Sequence, residues 1–290
     1  MYEKIQQKGG HKNILKMISF KRKAQIVKDD SPPLKIAYIE FEWANYGNLK
    51  DFLNASGPLE KEKAHYYFIQ LIDAIYFLHS IEISHRNIMP ENLLLNEDFC
   101  LKVSDFKLST EDAFDTKFKK GSLEYLPVEF HLYPTGTQIA NKPIDVYEVG
   151  ITFFNMFVGR RPWRSSNEND TFFIDYLCDK NNFWQKIRIN HSDNLINEFK
   201  AIFEKMTYSV KNRITTEEIV SSKLYKIPPL NVDKLHYEML RKFIQRKRIS
   251  RIGTLSGNVK PIVKTKTFSL LNIGTKIAFG ISYFIIGKTF

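Results

Sequence analysis

Two runs near the start of the chain alternate apolar and polar positions: NILKMISF, residues 13–20, and LKIAYIEFEW, residues 34–43. A period of two predicts strands with one face on a core. Ahead of them, residues 3–8 read as the end of a helix stopped by Gly9-Gly10. The stretch between the runs, KRKAQIVKDDSPP, reads as a turn-rich connection, and residues 45–48 punctuate the end of the second strand. The period then changes. Across residues 58–80, Ala64, Phe68, Leu71, Ile72, Ile75 and Leu78 recur at helical spacing, which predicts an amphipathic helix docked on a core. Short β-type runs follow around Leu93–Leu95 and Leu101–Val103. PIDVYEVGITFFNMFVG, residues 143–159, is apolar on nearly every side, the pattern of a helix in the middle of a lobe. Further helices are expected near 171–177, 194–207 and 215–223, and no internal repeat is visible. A few strands followed by mostly helices predict an α+β chain whose main lobe is helical.

Composition permits such a core. The 290 residues are 43% apolar and 14% aromatic, which excludes global disorder. Cys100 and Cys178 are too few for a disulfide framework and read as buried thiols in a reducing compartment. The polar opening, MYEKIQQKGGHKN, has no apolar core and is not a secretory signal. Charge is uneven. Of 43 Lys plus Arg, 11 lie from residue 239 onward, where there is no acid; residues 1–238 then carry 32 bases against 32 acids. The net +11 therefore belongs to the tail, and the body suggests no nucleic-acid-binding face. Residues 241–266 read as a basic linker, in which RKRISR, residues 246–251, is a solvated charge run, a phosphorylation site at Ser250 or a contact for anionic lipid. Residues 268–287 are about long enough to span a bilayer. Lys276 near their centre costs about 2.5–3.5 kcal/mol, against about 0.3–0.6 returned by each Leu, Ile or Phe, so insertion sums to near zero. That favours a terminus packed on the lobe, or an unspecified extension, over an anchor.

Six short motifs carry the chemistry. They are HRNIMPEN (85–92), DFK (105–107), GSLEYLPVE (121–129), DVYEVG (145–150), GRRPW (159–163) and NRIT (212–215). In this order and spacing they resemble the landmarks of eukaryotic protein kinases, over about residues 10–228. PENLLL and FWQKI (183–187) make the Ser/Thr kinases of the calcium/calmodulin-dependent type look most similar. The resemblance implies a protein-kinase-like fold with a complete, mainly helical large lobe, at residues 45–230, and a partial small lobe, at 1–44. A basic linker, 231–267, and an apolar segment, 268–290, would follow.

The resemblance also implies residue roles. Asn92 and Asp105 look like the oxygen donors for magnesium, and Glu42 and Ala44 like the hinge that grips adenine. His85, Arg86 and Asp145 look like supports of the catalytic loop, and Glu129 and Arg213 like a buried ion pair. Arg86 is placed to meet a phosphate on Thr116 or Ser122. The departures are specific. Asn87 stands where the family has its catalytic aspartate, and an amide is no base near neutral pH; general-base contributions run about 10²–10⁴-fold. Met89 stands where the family has a phosphate-contacting lysine. Lys107 replaces a glycine, so the loop bearing Asp105 is expected to shift. A Gly-rich phosphate loop and a lysine strand are not seen, and Glu3, nearest the place of the regulatory-helix glutamate, sits one residue short of the family spacing to His11.

The expected function is therefore a protein-binding or regulatory pseudokinase in signalling, cytoplasmic, with weak or no binding of ATP and Mg2+. An active Ser/Thr kinase and a membrane-attached interaction protein are the alternatives.

Overall fold

The computed structural model describes residues 1–26, 33–116, 122–134, 136–187, 189, 193–228, 239, 241 and the backbone of 281–288. Most of the basic linker, Ser250 and residues 268–280 lie outside the described residues. The chain opens with a short helix, α1 (Tyr2–Gln7), and two antiparallel strands, β1 (Met17–Ile26) and β2 (Leu34–Glu42), paired with Met17 opposite Phe41 and Phe20 opposite Ile39. Leu15, Met17 and Phe41 form a small core of their own beneath this sheet. A strand near the end of the chain, here β8 (Ile281–Lys288), lies antiparallel against the other edge of β2.

The second lobe is helical. Its scaffold is α2 (Leu49–Ser56), α3 (Lys61–Ser80), α4 (Glu129–Leu132), α5 (Asn141–Val158), α6 (Thr171–Cys178), α7 (Lys180–Ile187), α8 (Asn194–Met206), α9 (Thr216–Val220) and α10 (Lys223–Lys226). Side-chain caps start several of these helices: Asn48 accepts the Asp51 N–H, Asp170 that of Phe173 and Asp193 that of Ile196, while Thr215 and Glu218 form a reciprocal capping box. A three-stranded ribbon, β3 (Gly47–Asn48), β4 (Leu93–Leu95) and β5 (Leu101–Val103), lies at the junction with the sheet, where Ile14 bridges to Val103. A two-residue pair, β6 (Phe114–Asp115) with β7 (Ile139–Ala140), ties the middle of the 105–129 segment to the start of α5.

This is the expected α+β arrangement, few strands and a helical main lobe. All six apolar positions read off the 58–80 pattern are buried, and α5 runs through the middle of the core. Phe153 of α5 stacks on Phe68 of α3 and meets Phe199 of α8 edge-on. Those ring contacts fix the three longest helices against one another.

Several expectations need correction. Strand β1 begins at Met17 and runs through Ile26, so the first part of KRKAQIV is strand; Lys21, Arg22, Lys23 and Gln25 are all exposed, with an irregularity in the pairing between Lys21 and Ala24. Helices α2 and α7 were not expected, and the 215–223 helix is two short ones, broken at Ser221-Ser222. Neither cysteine is buried: Cys178 ends α6 on its solvent side and Cys100 is half-buried in the turn before β5.

Candidate active site

Residues 83–106 pass from the end of α3 through a loop to β4, β5 and a 3-10 turn at Phe106–Leu108. Helix α5 carries that loop. Asp145, fully buried, accepts the N–H of His85 at 2.8 Å and of Arg86 at 2.6 Å, together with His79 Nε2 at 2.9 Å. One turn on, Glu148 accepts the Ile88 N–H at 2.7 Å, and a further turn on Thr152 donates to the Ile88 carbonyl at 3.2 Å. The spacing 145, 148, 152 puts all three side chains on one face of the helix. They hold the backbone on both sides of Asn87, with Arg86 in the left-handed region at φ 64°. Burial, reinforced by the Asp145 carboxylate, pushes Glu148 well above the usual carboxylate range. Glu148 was missed in the sequence. The available signal was a second carboxylate inside an otherwise apolar helix.

The loop also closes on itself. His85 is buried, and burial holds its imidazole below the ordinary histidine range, so it packs as a neutral ring with Nε2 2.9 Å from the Ser104 carbonyl. Asn92 donates from Nδ2 to the Asn87 carbonyl at 2.8 Å, and its own carbonyl accepts both the N–H and the hydroxyl of Ser104. Asn87 donates from Nδ2 to Asp105 Oδ2 at 3.2 Å. Asn87 is therefore bonded to Asn92 through its carbonyl and to Asp105 through its amide. Met89 packs on the core, with the Ser122 hydroxyl 3.4 Å from its sulfur.

Lys107 follows this loop without the backbone conformation that favours glycine. Among the described residues it is not one with positive φ; that conformation falls on Asp105 itself, at φ 63° and ψ 63°. Lys107 follows inside the 3-10 turn with its side chain exposed, so the glycine's freedom is not needed there. In the unmodified chain Arg86 meets an acid. Its guanidinium pairs with Asp115 at 2.6 Å, where β6 brings that carboxylate, and Thr116 is exposed beside it. Asp115 was legible only as one acid among several.

The remaining residues sit apart. Glu129 and Arg213 form a bidentate pair at 2.6 and 2.9 Å, with side chains 1% and 0% exposed, far along the 105–129 segment. The Glu42 carboxylate accepts the Lys16 N–H at 2.9 Å and pairs with Lys102 at 2.9 Å, so this hinge side chain fastens the strands to β5. The Ala44 carbonyl accepts the Gly47 N–H in the turn that follows. Glu3 is exposed, and its neighbour Tyr2 points inward instead. A cavity of about 480 Å³, lined in part by Ile5, His11, Lys12, Lys16, Glu42 and Lys102, includes none of Asn87, Met89, Asn92 and Asp105.

The model of the protein kinase domain matches residues 3–225. The chain belongs to the protein kinase domain family. Among curated proteins it is similar to the serine/threonine-protein kinase CHK1 of Mycosarcoma maydis, at 34% identity over 49% of this chain and 22% of the relative. It is similar also to the probable serine/threonine-protein kinase HSL1 of Saccharomyces cerevisiae, at 29% over 79% and 15%, and to the serine/threonine-protein kinase ksp1 of Schizosaccharomyces pombe, at 31% over 58% and 38%. The matches thus take in less than two fifths of each of these relatives.

Protein kinase domains generally bind ATP and Mg2+. Asp105 offers one carboxylate, and Asn92, its nitrogen committed to Asn87, offers Oδ1. Among the described residues no cluster of three or more His, Cys, Asp or Glu could hold a metal ion. This donor set fits a magnesium ion that brings most of its ligands as water and phosphate oxygens. It fits a bare ion poorly, and Met89 adds no positive charge for the phosphates.

Proposed function

We propose that this kinase domain binds and regulates a protein partner and does not transfer phosphate efficiently. One observation carries the reading: at the base position the Asn87 amide turns its N–H onto Asp105, at 3.2 Å. An amide there can orient the substrate's hydroxyl but cannot take up its proton near neutral pH, and the loss of a base is worth about 10²–10⁴-fold. Met89 removes a second contribution, the charge that would meet the transferring phosphate. The supports, by contrast, are complete around both residues, which suits a domain kept for its shape.

The test is phosphate incorporation from radiolabelled ATP–Mg2+ into a generic protein substrate. The wild-type chain is expected at background, and Asn87→Asp with Met89→Lys above it. Wild-type incorporation that disappears in Asp105→Ala overturns the reading.

A second reading is an active ATP-dependent protein Ser/Thr kinase. It is favoured by the α5 clamp and the Arg86–Asp115 pair, since a largely dissociative transfer depends mainly on positioning. The same assay separates the two. The calcium/calmodulin-dependent-like subtype rests on PENLLL and FWQKI alone. The two cysteines suit a cytoplasmic placement, and the neutral body favours a protein over a nucleic-acid partner. Membrane attachment through residues 241–290 predicts that deleting them moves the protein from the membrane to the soluble fraction.

A further inference from the structure

Strand β2 is paired along both edges. On one side it takes β1, and on the other it takes β8, from near the end of the chain. The second pairing runs antiparallel from Ile36 opposite Lys288 to Glu42 opposite Ile281, with one irregularity between Ala37 and Tyr38. A two-stranded hairpin alone is marginal in water, and an open edge offers unpaired N–H and C=O groups to any extended segment. Ile281, Tyr283, Phe284, Ile285 and Ile286 of β8 are of the β-branched and aromatic types that strands favour. The pairing ends at Glu42, whose carboxylate holds the Lys16 N–H and Lys102 beside the cavity of about 480 Å³.

We propose that the outer edge of β2 is a strand-docking surface whose occupant is this chain's own residues 281–288: the apolar tail is an intramolecular strap on the small sheet, and while docked it does not span a membrane. Reach permits this. The 40 residue steps from Arg241 to Ile281 extend to roughly 130–140 Å. Carried by the same chain, the strand meets β2 at an effective concentration up to the order of mM, so at µM protein a second copy's tail competes poorly. Length makes docking and spanning exclusive. With residues 281–287 in the sheet, 268–280 remain of the apolar stretch, thirteen residues against the ~17–25 of a bilayer-spanning helix. An eight-residue strand crossing by itself would leave its backbone unpaired in hydrocarbon. Undocking therefore frees two things at once: the apolar stretch, and an edge of β2, running up to Glu42, that is open to an extended segment of a partner.

The experiment is amide hydrogen exchange by NMR on the full chain, wild type and the double variant Phe284→Pro with Ile285→Pro. Successive N–H groups of a strand face opposite edges, so β1 protects one alternate set along residues 36–41 and β8 the other. In the wild type both sets are expected to be protected at least about tenfold, equally at about 10 and 200 µM protein and with phosphatidylcholine–phosphatidylserine vesicles added. The two prolines fall at adjacent pairs, opposite Ile39 and Tyr38, so one of them removes a ladder N–H whichever phase the ladder has. They are expected to release the set facing β8, alone or with the set facing β1, while α3 and α5 stay protected. Free exchange of the β8-facing set in the wild type, or its unchanged protection in the variant, overturns the proposal. So does protection that grows with concentration together with a dimer by light scattering, which would make the occupant a second copy. Loss of that protection on adding vesicles would make the tail an anchor and overturn it equally. Should the variant lose protection throughout, the concentration and vesicle measurements on the wild type still decide.

Discussion

Removing Arg213 tests the energetic core of the large lobe. Its guanidinium is fully enclosed and spends its donors on Glu129 twice, on the Tyr208 carbonyl and on the Pro143 carbonyl. It also stacks over the Tyr147 ring, 5.1 Å from the centroid. Three segments, α4, α5 and the loop at Tyr208, therefore converge on one side chain. Arg213→Met keeps much of the volume but leaves the Glu129 carboxylate, 1% exposed, without its cation. Breaking a buried pair on one side costs about 3–5 kcal/mol. At roughly 2–4 °C per kcal/mol for a domain of this size, the melting temperature should fall by about 6–20 °C. The desolvation argument makes a sharper claim about the double variant. Arg213→Met with Glu129→Leu removes the stranded charge as well, so it should be less destabilised than the sum of the single changes. Calorimetry on the four proteins gives the coupling. A shift under about 2 °C in Arg213→Met, or strict additivity in the double variant, would refute the reasoning.

Other outcomes follow from the loop's supports. Glu148 has its folded pKa raised above the unfolded value, so its contribution is full at low pH and is lost as pH rises towards the folded pKa. Glu148→Gln, which keeps an acceptor for the Ile88 N–H, should flatten the fall in urea midpoint as pH rises above the ordinary carboxylate range; an unchanged slope counts against this account. Asp115→Asn weakens the pair with Arg86, and limited proteolysis between β6 and α4 should accelerate while the α3–α5 core stays resistant. Gly159 ends α5 at φ 81°, and a Cβ there would come within 3.0 Å of Pro58. Gly159→Ala should cost about 1–2 kcal/mol, read as a lower urea midpoint at constant m.

The legible parts of the molecule were those with a strong local pattern. Helices α3 and α5 follow from apolar spacing alone because burial on one side, or on all sides, leaves a periodic trace. Helix α2 left a weaker trace: LKDFLNAS is short, and its start depends on the Asn48 cap, which also reads as a turn residue. Strand β1 was cut short because exposed lysine and arginine in a strand look like a loop. At the site, residues bound to their own helix or loop were readable from motif spacing. Partners brought in by tertiary pairing were not. Asp115 reaches Arg86 only because β6 pairs with β7, and Tyr2 reaches Phe106 only because α1 lies across the small sheet. No local pattern encodes either meeting.

The distribution of these contacts bears on what the domain is for. Asp145, Glu148 and Thr152 fix the loop backbone at His85, Arg86 and Ile88, on either side of Asn87. A loop that only filled space would not need both flanks of one residue clamped by polar side chains from a buried helix, since each buried polar group costs free energy unless fully paired. The clamp is complete while the clamped side chain is an amide. Rigidity is thus retained around a side chain that is an amide, and beside it Ser122 is set against Met89. If the clamp serves the shape of this loop, Asn87→Asp should leave partner binding unchanged, and Asp145→Asn should weaken it by loosening His85 and Arg86. The reverse ranking, measured by calorimetric titration with a captured partner, would show that the side chain at position 87 and not the shape of its loop is what the partner reads.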